Sequence, residues 1–287
     1  MQLRDIRIRD PFIMPVAAKK TYYMYGSTHL DPQGPMGFDA YRSKDLVEWE
    51  GPIPIFRPPT DFWSDRDFWA PEVHAWQGHY FLFASFKNAT ACRGTQILIA
   101  DSPEGPFRVH SIGPVTPSDW ECLDGTLFVD DQQEPWIVFC HEWLQVDDGE
   151  ICARKLSPSL EKPVSDPKLL FRASEPNWVV SIEKGKSRFV TDGPFLHRLS
   201  TGELIMIWSS FSKTGYVLAQ AKSKSGTILG PWEHADKPIF SNDGGHGMIF
   251  RSFEGTLLVS IHAPNKPVDE RAKFLLVREN AGWLEAI

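Results

Sequence analysis

An all-β fold, and within that class a five-bladed β-propeller, is what this sequence predicts, on three observations. Helical periodicity is almost absent. The apolar stretches are four to six residues long, β-branched or aromatic, and each follows a turn. Five openings of similar sequence recur along the chain, at intervals of 51 to 68 residues once the circle is closed.

The apolar stretches are Thr21 to Tyr25, Tyr80 to Phe83, Trp136 to Cys140, Leu204 to Trp208 and Thr256 to Ile261, each read as the second strand of a unit. The openings precede them: Arg9-Asp10-Pro11, Trp69-Ala70-Pro71, Leu123-Asp124-Gly125, Thr191-Asp192-Gly193 and Gly245-His246-Gly247. A third strand carries a tail of its own, seen in Ser43 to Trp49, Ser102 to Phe107 and Gly226 to Trp232. Units of this size with three or four strands match propeller blades. One catalytic domain over residues 1–287 is expected, and the Pro-rich run Pro52 to Pro59 reads as a connection between blades.

Composition narrows the function classes. At 42% hydrophobic and 23% charged the chain is globular, and a net charge of −7 argues against a nucleic-acid surface. No apolar run is long enough to span a membrane, and residues 1–9 carry charge without the apolar core of an export signal, so a cytoplasmic location is expected. Cys92, Cys122, Cys140 and Cys152 form no C-x-x-C pair and read as reduced, mostly buried thiols.

In a propeller the first strand lines the axis, so the openings gather Asp10, Ala70, Asp124, Asp192 and His246 around one cavity. Three acids and a histidine there are costly unless solvated, metal-bound or used. The second strands return to the same face, bringing His29, Lys87, Glu142, Ser209 and His262 to its rim. Trp69, Trp143 and Trp208 flank this centre as a wall on which sugars could stack. Glu270 with Arg271 reads as a rim ion pair. The Gly-rich Asp243 to Gly247 lacks the Lys-Ser/Thr ending of a phosphate loop, and Ser209 lacks a nucleophile-elbow context.

Arg9-Asp10-Pro11, Phe68 to Val73, Leu123-Asp124-Gly125, Asp192-Gly193-Pro194 and Gly245-His246-Gly247, in that order and at blade spacing, resemble glycoside hydrolase family 43 over essentially the whole chain. The resemblance implies a five-bladed propeller that hydrolyses glycosides with inversion. It implies Asp10 as general base, Asp124 as the residue that orients and tunes the acid, and a calcium-like ion near His246. No cofactor is needed for the chemistry. The family's general acid is usually the Glu of a Glu-Gly-Pro motif, where this chain has Asp192-Gly193-Pro194. Glu142 is then the other candidate acid, with the longer reach.

The expected activity is an exo-acting hydrolase that removes a terminal sugar, α-L-arabinofuranose first, from plant-type oligosaccharides. β-Xylosidase and galactosidase activities of the same family, and a non-hydrolytic sugar-binding propeller, are the alternatives. The partner is an oligosaccharide, with neither nucleic acid nor membrane.

Overall fold

The computed structural model describes residues 1–28 and 36–287. Five four-stranded antiparallel sheets form the blades of a propeller, each built from consecutive strands in simple up-and-down order. Blade 1 comprises β1 (Arg9–Val16), β2 (Thr21–Ser27), β3 (Phe38–Ser43) and β4 (Trp49–Phe56). Blade 2 comprises β5 (Arg66–Trp76), β6 (His79–Lys87), β7 (Gly94–Ala100) and β8 (Arg108–Val109). In blade 3, β9 (Cys122–Val129) and β10 (Pro135–His141) are followed by a single helical turn, α1 (Trp143–Val146), then by β11 (Glu150–Lys155) and β12 (Lys168–Arg172). Blade 4 runs through β13 (Asp192–Arg198), β14 (Leu204–Ser212), β15 (Gly215–Ser223) and β16 (Trp232–His234). Blade 5 holds β17 (Gly245–Arg251), β18 (Leu257–Ala263), β19 (Arg271–Asn280) and β20 (Trp283–Ala286).

The predicted second strands are β2, β6, β10, β14 and β18. They are buried almost end to end, which is why they read as unbroken apolar runs rather than alternating ones. Neighbouring blades pack face to face. Between blades 1 and 2 the rings of Phe38, Phe56, Phe68 and Phe86 meet with centroids 5.0–6.5 Å apart, contacts that contribute about 0.5–1.5 kcal/mol per pair beyond area burial. Cys122, Cys140 and Cys152 are buried and Cys92 is half-buried, all as free thiols.

Part of the Pro-rich run is strand rather than connection: Pro52 and Pro54 lie within β4. β4 is the outermost strand of its blade, where a missing N–H costs no ladder hydrogen bond.

Each inner strand carries a bulge near its start, visible as a shift in its pairing with the second strand. The bulged residues hold positive φ: Asp10 at 54°, Ala70 at 46°, Asp124 at 56°, Gly193 at 48° and His246 at 48°. A bulge re-aims a side chain and frees a backbone N–H from the ladder. Here the freed N–H is taken up by the second strand of the preceding blade. Ser27 Oγ accepts from Ala70 (2.8 Å), Ser85 Oγ from Asp124 (3.0 Å), Ser209 Oγ from His246 (2.8 Å) and His262 Nδ1 from Asp10 (3.2 Å). Gly193 differs, donating instead to the Asp124 carboxylate at 3.1 Å.

In blade 4 the residue matching Asp10 is therefore Gly193, not Asp192. Asp192 pairs with Ser209 as Arg9 pairs with Ser27, so the opening to align is Asp192-Gly193-Pro194. Glycine is required there by space, since Asp10, Ala70, Asp124 and His246 hold a similar positive φ in the other blades. A Cβ would stand 2.7 Å from ring carbons of His246.

Candidate active site

The bulges aim Asp10, Asp124 and His246 into a cavity of about 420 Å³, which Asp192 and Glu142 also line. His246 is its centre. Its Nδ1 lies 3.2 Å from Asp10 Oδ1, 3.5 Å from Asp192 Oδ1 and 3.7 Å from Asp124 Oδ2. Burial alone would lower the His246 pKa, but the three carboxylates outweigh it and raise it well above the ordinary value. The ring is an imidazolium shared by three acids.

Those acids differ in state. Burial pushes Asp10 up, but the charges of His246 and Arg9 prevail and hold it well below the ordinary carboxylate range. Ser27 Oγ–H adds a hydrogen bond to Asp10 Oδ2 at 2.9 Å. Asp124 goes the other way: burial, joined by the negative charge of Asp192, raises it well above its usual value. Asp192 is raised by burial but more strongly lowered by hydrogen bonds with Asp124 and His246, and the Tyr216 hydroxyl donates to its Oδ2. The two carboxyls are thus pushed apart, Asp124 toward its protonated form and Asp192 toward its ionised one.

Glu142 stands apart from this cluster. It ends the buried run of β10 and lines the cavity beside Trp143. Burial raises its pKa, partly offset by Arg93. The Arg93 guanidinium donates to Glu142 Oε1, bonds Asp67 at 2.8 Å and lies 4.3 Å above the Trp69 ring. Glu142 Oε2 has no hydrogen-bond partner, so Arg93 holds one oxygen of the carboxyl and leaves the other unpaired.

Asp124, Asp192 and His246 also each offer one ligand atom within 4.8 Å of the others, a set suited to a cation. A hard cation takes about six or more oxygens, so water would have to complete its shell. Such an ion would occupy the place of the His246 Nδ1 proton, so the two are alternatives.

Most of the residues expected at the site meet in this cavity: Asp10, Asp124, Asp192, Glu142, His246, Trp69 and Trp143. Others do not. Trp208 is fully buried against Phe171 and Trp178 in the blade 3–4 core, because its strand β14 is enclosed on both faces. His262 is fully buried as well, and acts behind the wall. Its Nδ1 accepts the Asp10 N–H, and its Nε2–H donates to Asn265 at 3.3 Å. Lys87 is spent on Glu121, at 2.6 Å. His29 lies outside the described residues.

Glu270 is no rim partner of Arg271. It is 1% exposed and faces Arg7 and Arg9, each at 3.4 Å, in the cavity wall. Arg271 donates to backbone carbonyls instead. Sequence reasoning missed Arg7, Arg9, Ser27, Arg93 and Tyr216. Of these only Ser27 had a legible signal, as the counterpart of Ser85 and Ser209 at the ends of second strands.

Comparison with known proteins bears on the family and the fold. The family model described as glycosyl hydrolases family 43 matches residues 5–279. A crystal structure described as an endo-arabinase from Bacteroides thetaiotaomicron is 43% identical, with a TM-score of 0.92 over 98% of both chains. An endo-1,4-beta-xylanase from the same organism is 24% identical, with a TM-score of 0.80 over 98% of this chain and 94% of that one. An alpha-L-arabinofuranosidase from Lactobacillus brevis is 20% identical, with a TM-score of 0.75 over 98% and 95%. The last two are likenesses of fold. No curated protein matches the sequence.

Proposed function

This chain belongs to glycosyl hydrolase family 43, and we propose that it hydrolyses α-L-arabinofuranosyl bonds of plant-type oligosaccharides with inversion, removing a terminal sugar. Identity of 43% to the endo-arabinase supports arabinose as the sugar. A cavity of about 420 Å³, within the range of small-ligand pockets, supports release of a single terminal unit.

One observation carries the chemistry: the cavity holds two carboxyls two blades apart around the ring whose pKa values are pushed apart, Asp10 held well below the ordinary range and Glu142 raised by burial. Inversion requires that pair. Asp10 takes a proton from water as the water oxygen attacks the anomeric carbon. Glu142 gives its proton to the glycosidic oxygen as the carbon–oxygen bond breaks. Positive charge at the ring carbon faces Asp10 and the Asp124–Asp192 pair. His246, Ser27 and His262 hold Asp10 in place. An ion beside His246, if bound, would supply positive charge where the imidazolium supplies it; hydrolysis itself needs no cofactor.

A second reading has Asp192 donate the proton to the glycosidic oxygen. It is favoured by side-chain exposure, 22% for Asp192 against 6% for Glu142. Turnover of Glu142→Gln and Asp192→Asn on an arabino-oligosaccharide and on 4-nitrophenyl α-L-arabinofuranoside separates the two. The expected result is that E142Q loses about 10²-fold or more on the oligosaccharide but far less on the activated glycoside, whose leaving group needs little acid help. That split in D192N instead would move the proton to Asp192. Absence of any turnover by the wild-type chain would favour a sugar-binding propeller. Arabinose as the first product marks terminal cutting, whereas shorter oligosaccharides first would mark internal cutting.

A further inference from the structure

The helical turn α1 follows Glu142 directly, and none of its four residues is fully buried. Leu144 is 61% exposed. A single turn is too short to hold itself, and this one gains little from apolar packing. Polar bonds hold it. Gln145 Oε1 accepts the Glu121 N–H and the His141 Nε2–H, each at 2.8 Å, and Gln145 Nε2–H donates to Asp119 O at 2.9 Å. His141, at the end of β10, is fixed as well. Its ring stacks on Trp120, with centroids 4.2 Å apart and planes 11° from parallel, and its Nδ1–H donates to Glu150 Oε2 at 3.1 Å. The segment 119–121 that takes up these bonds is anchored in turn to blade 2, where the Glu121 carboxylate accepts from Lys87 at 2.6 Å and from the Arg93 N–H at 2.9 Å.

We infer that His141 and Gln145 form a latch that positions Glu142 for proton transfer to the glycosidic oxygen. The inference rests on the reading above in which Glu142 is the acid. Glu142 lies between the two latch residues in the chain, and its own N–H donates to Glu121 O at 2.8 Å. The backbone on both sides of its Cα is therefore referred to the one segment 119–121, and the direction of its side chain with it. Although Glu142 stands at the N-cap of α1, its side chain makes no cap bond, which leaves the carboxyl for the cavity. Arg93 holds that carboxyl by Oε1, while the latch holds the backbone that carries it. Directional bonds fix where the turn sits and not only that it forms, and a displacement of about 1 Å in a reacting group costs about 10²-fold in rate. His141 and Gln145 do not line the cavity, so both are positioning residues.

The test measures kcat/KM on arabinotriose and on 4-nitrophenyl α-L-arabinofuranoside, whose leaving group needs little acid help, for wild type, Glu142→Gln, His141→Phe, His141→Gln and Gln145→Met. H141F keeps the stack on Trp120 and removes both ring hydrogen bonds, whereas H141Q keeps a donor near the place of Nε2. Gln145 is exposed, so Q145M leaves the core untouched. The expected result is that H141F and Q145M lower the ratio of arabinotriose to activated-glycoside kcat/KM about tenfold, mostly through kcat. H141Q should retain most of the wild-type ratio, and the melting temperature of Q145M should hardly move. A purely structural role would lower both substrates alike. A ratio unchanged in H141F and Q145M, with the split present in E142Q, would therefore overturn the latch and leave the acid assignment standing. If E142Q shows no split, Glu142 is not the acid and the latch falls with it. Should H141F fail to fold, the ratio in Q145M decides.

Discussion

Three carboxylates converging on one imidazole ring would repel one another if the ring were neutral. His246 therefore stays charged, and its charge contributes to folding. A group whose pKa is raised by folding stabilises the native state fully below its unfolded value, about 6.5 for histidine, and loses that contribution as pH rises through the folded value. Stability of the wild-type chain should thus fall as pH rises above neutrality. His246→Gln should be less stable at pH 7 by about 3 kcal/mol or more, because Asp10, Asp124 and Asp192 lose their common counter-charge. Its melting temperature should also fall less steeply between pH 7 and pH 10. Thermal melts across that range check both; equal slopes would show that His246 is not the titrating group. The same ring bears on the ion. With the imidazolium supplying the positive charge, turnover should survive EDTA, and loss restored by calcium would place a cation where the Nδ1 proton stands. Asp10, ionised and braced by Ser27 and His262, is the group whose loss should cost most. Asp10→Asn is expected to lower kcat by about 10²–10⁴-fold and also to lower the melting temperature, because His246 and Arg9 lose a charge partner.

The inner-strand bulge is the unit from which the site is built. It turns a side chain toward the axis and exposes an N–H, and a side chain from the neighbouring blade takes that N–H. Ser85→Ala should leave the Asp124 N–H buried without an acceptor, costing about 1–3 kcal/mol. It should also lower turnover, because Asp124 is aimed by that bulge; a melting curve and a rate on the same preparation test the two together. These openings were legible in the sequence because a bulge constrains residue type: Pro or Gly follows the bulged residue in every blade, at Pro11, Pro71, Gly125, Pro194 and Gly247. Reading blade 4 by its acid rather than its proline put Asp192 one position too far along. The proline was the better guide, since it reports backbone geometry, whereas an acid reports only chemistry. The partners of the site, Arg93 on Glu142 and Tyr216 on Asp192, had no such signature. They come from third strands and loops whose sequences do not repeat.

At the level of the molecule, short apolar strands in fivefold repetition were enough for the architecture, because five sheets of this kind bury their faces only against one another. Which aromatics line the cavity was not legible. Trp69, Trp143 and Trp208 look alike along the chain, and only the packing of blades 3 and 4 sends Trp208 inward. The closure of the ring has a further consequence. Among the described residues every blade is made of consecutive strands, and the N-terminal segment reaches across to blade 5 only by an isolated bridge between Arg7 and Arg271. Blade 1 meets blade 5 through Ile8 N–H to Glu270 O, Asp10 N–H to His262, and Ser260 Oγ to Pro11 O at 2.5 Å. Asp10, the proposed base, and His246, its counter-ion, thus sit on opposite banks of the seam, in blade 1 and blade 5. A chain with four blades assembled and the fifth astray has no charge pair and cannot hydrolyse anything. Activity in this protein is a report that the circle has shut, and refolding followed by rate should lag refolding followed by strand content.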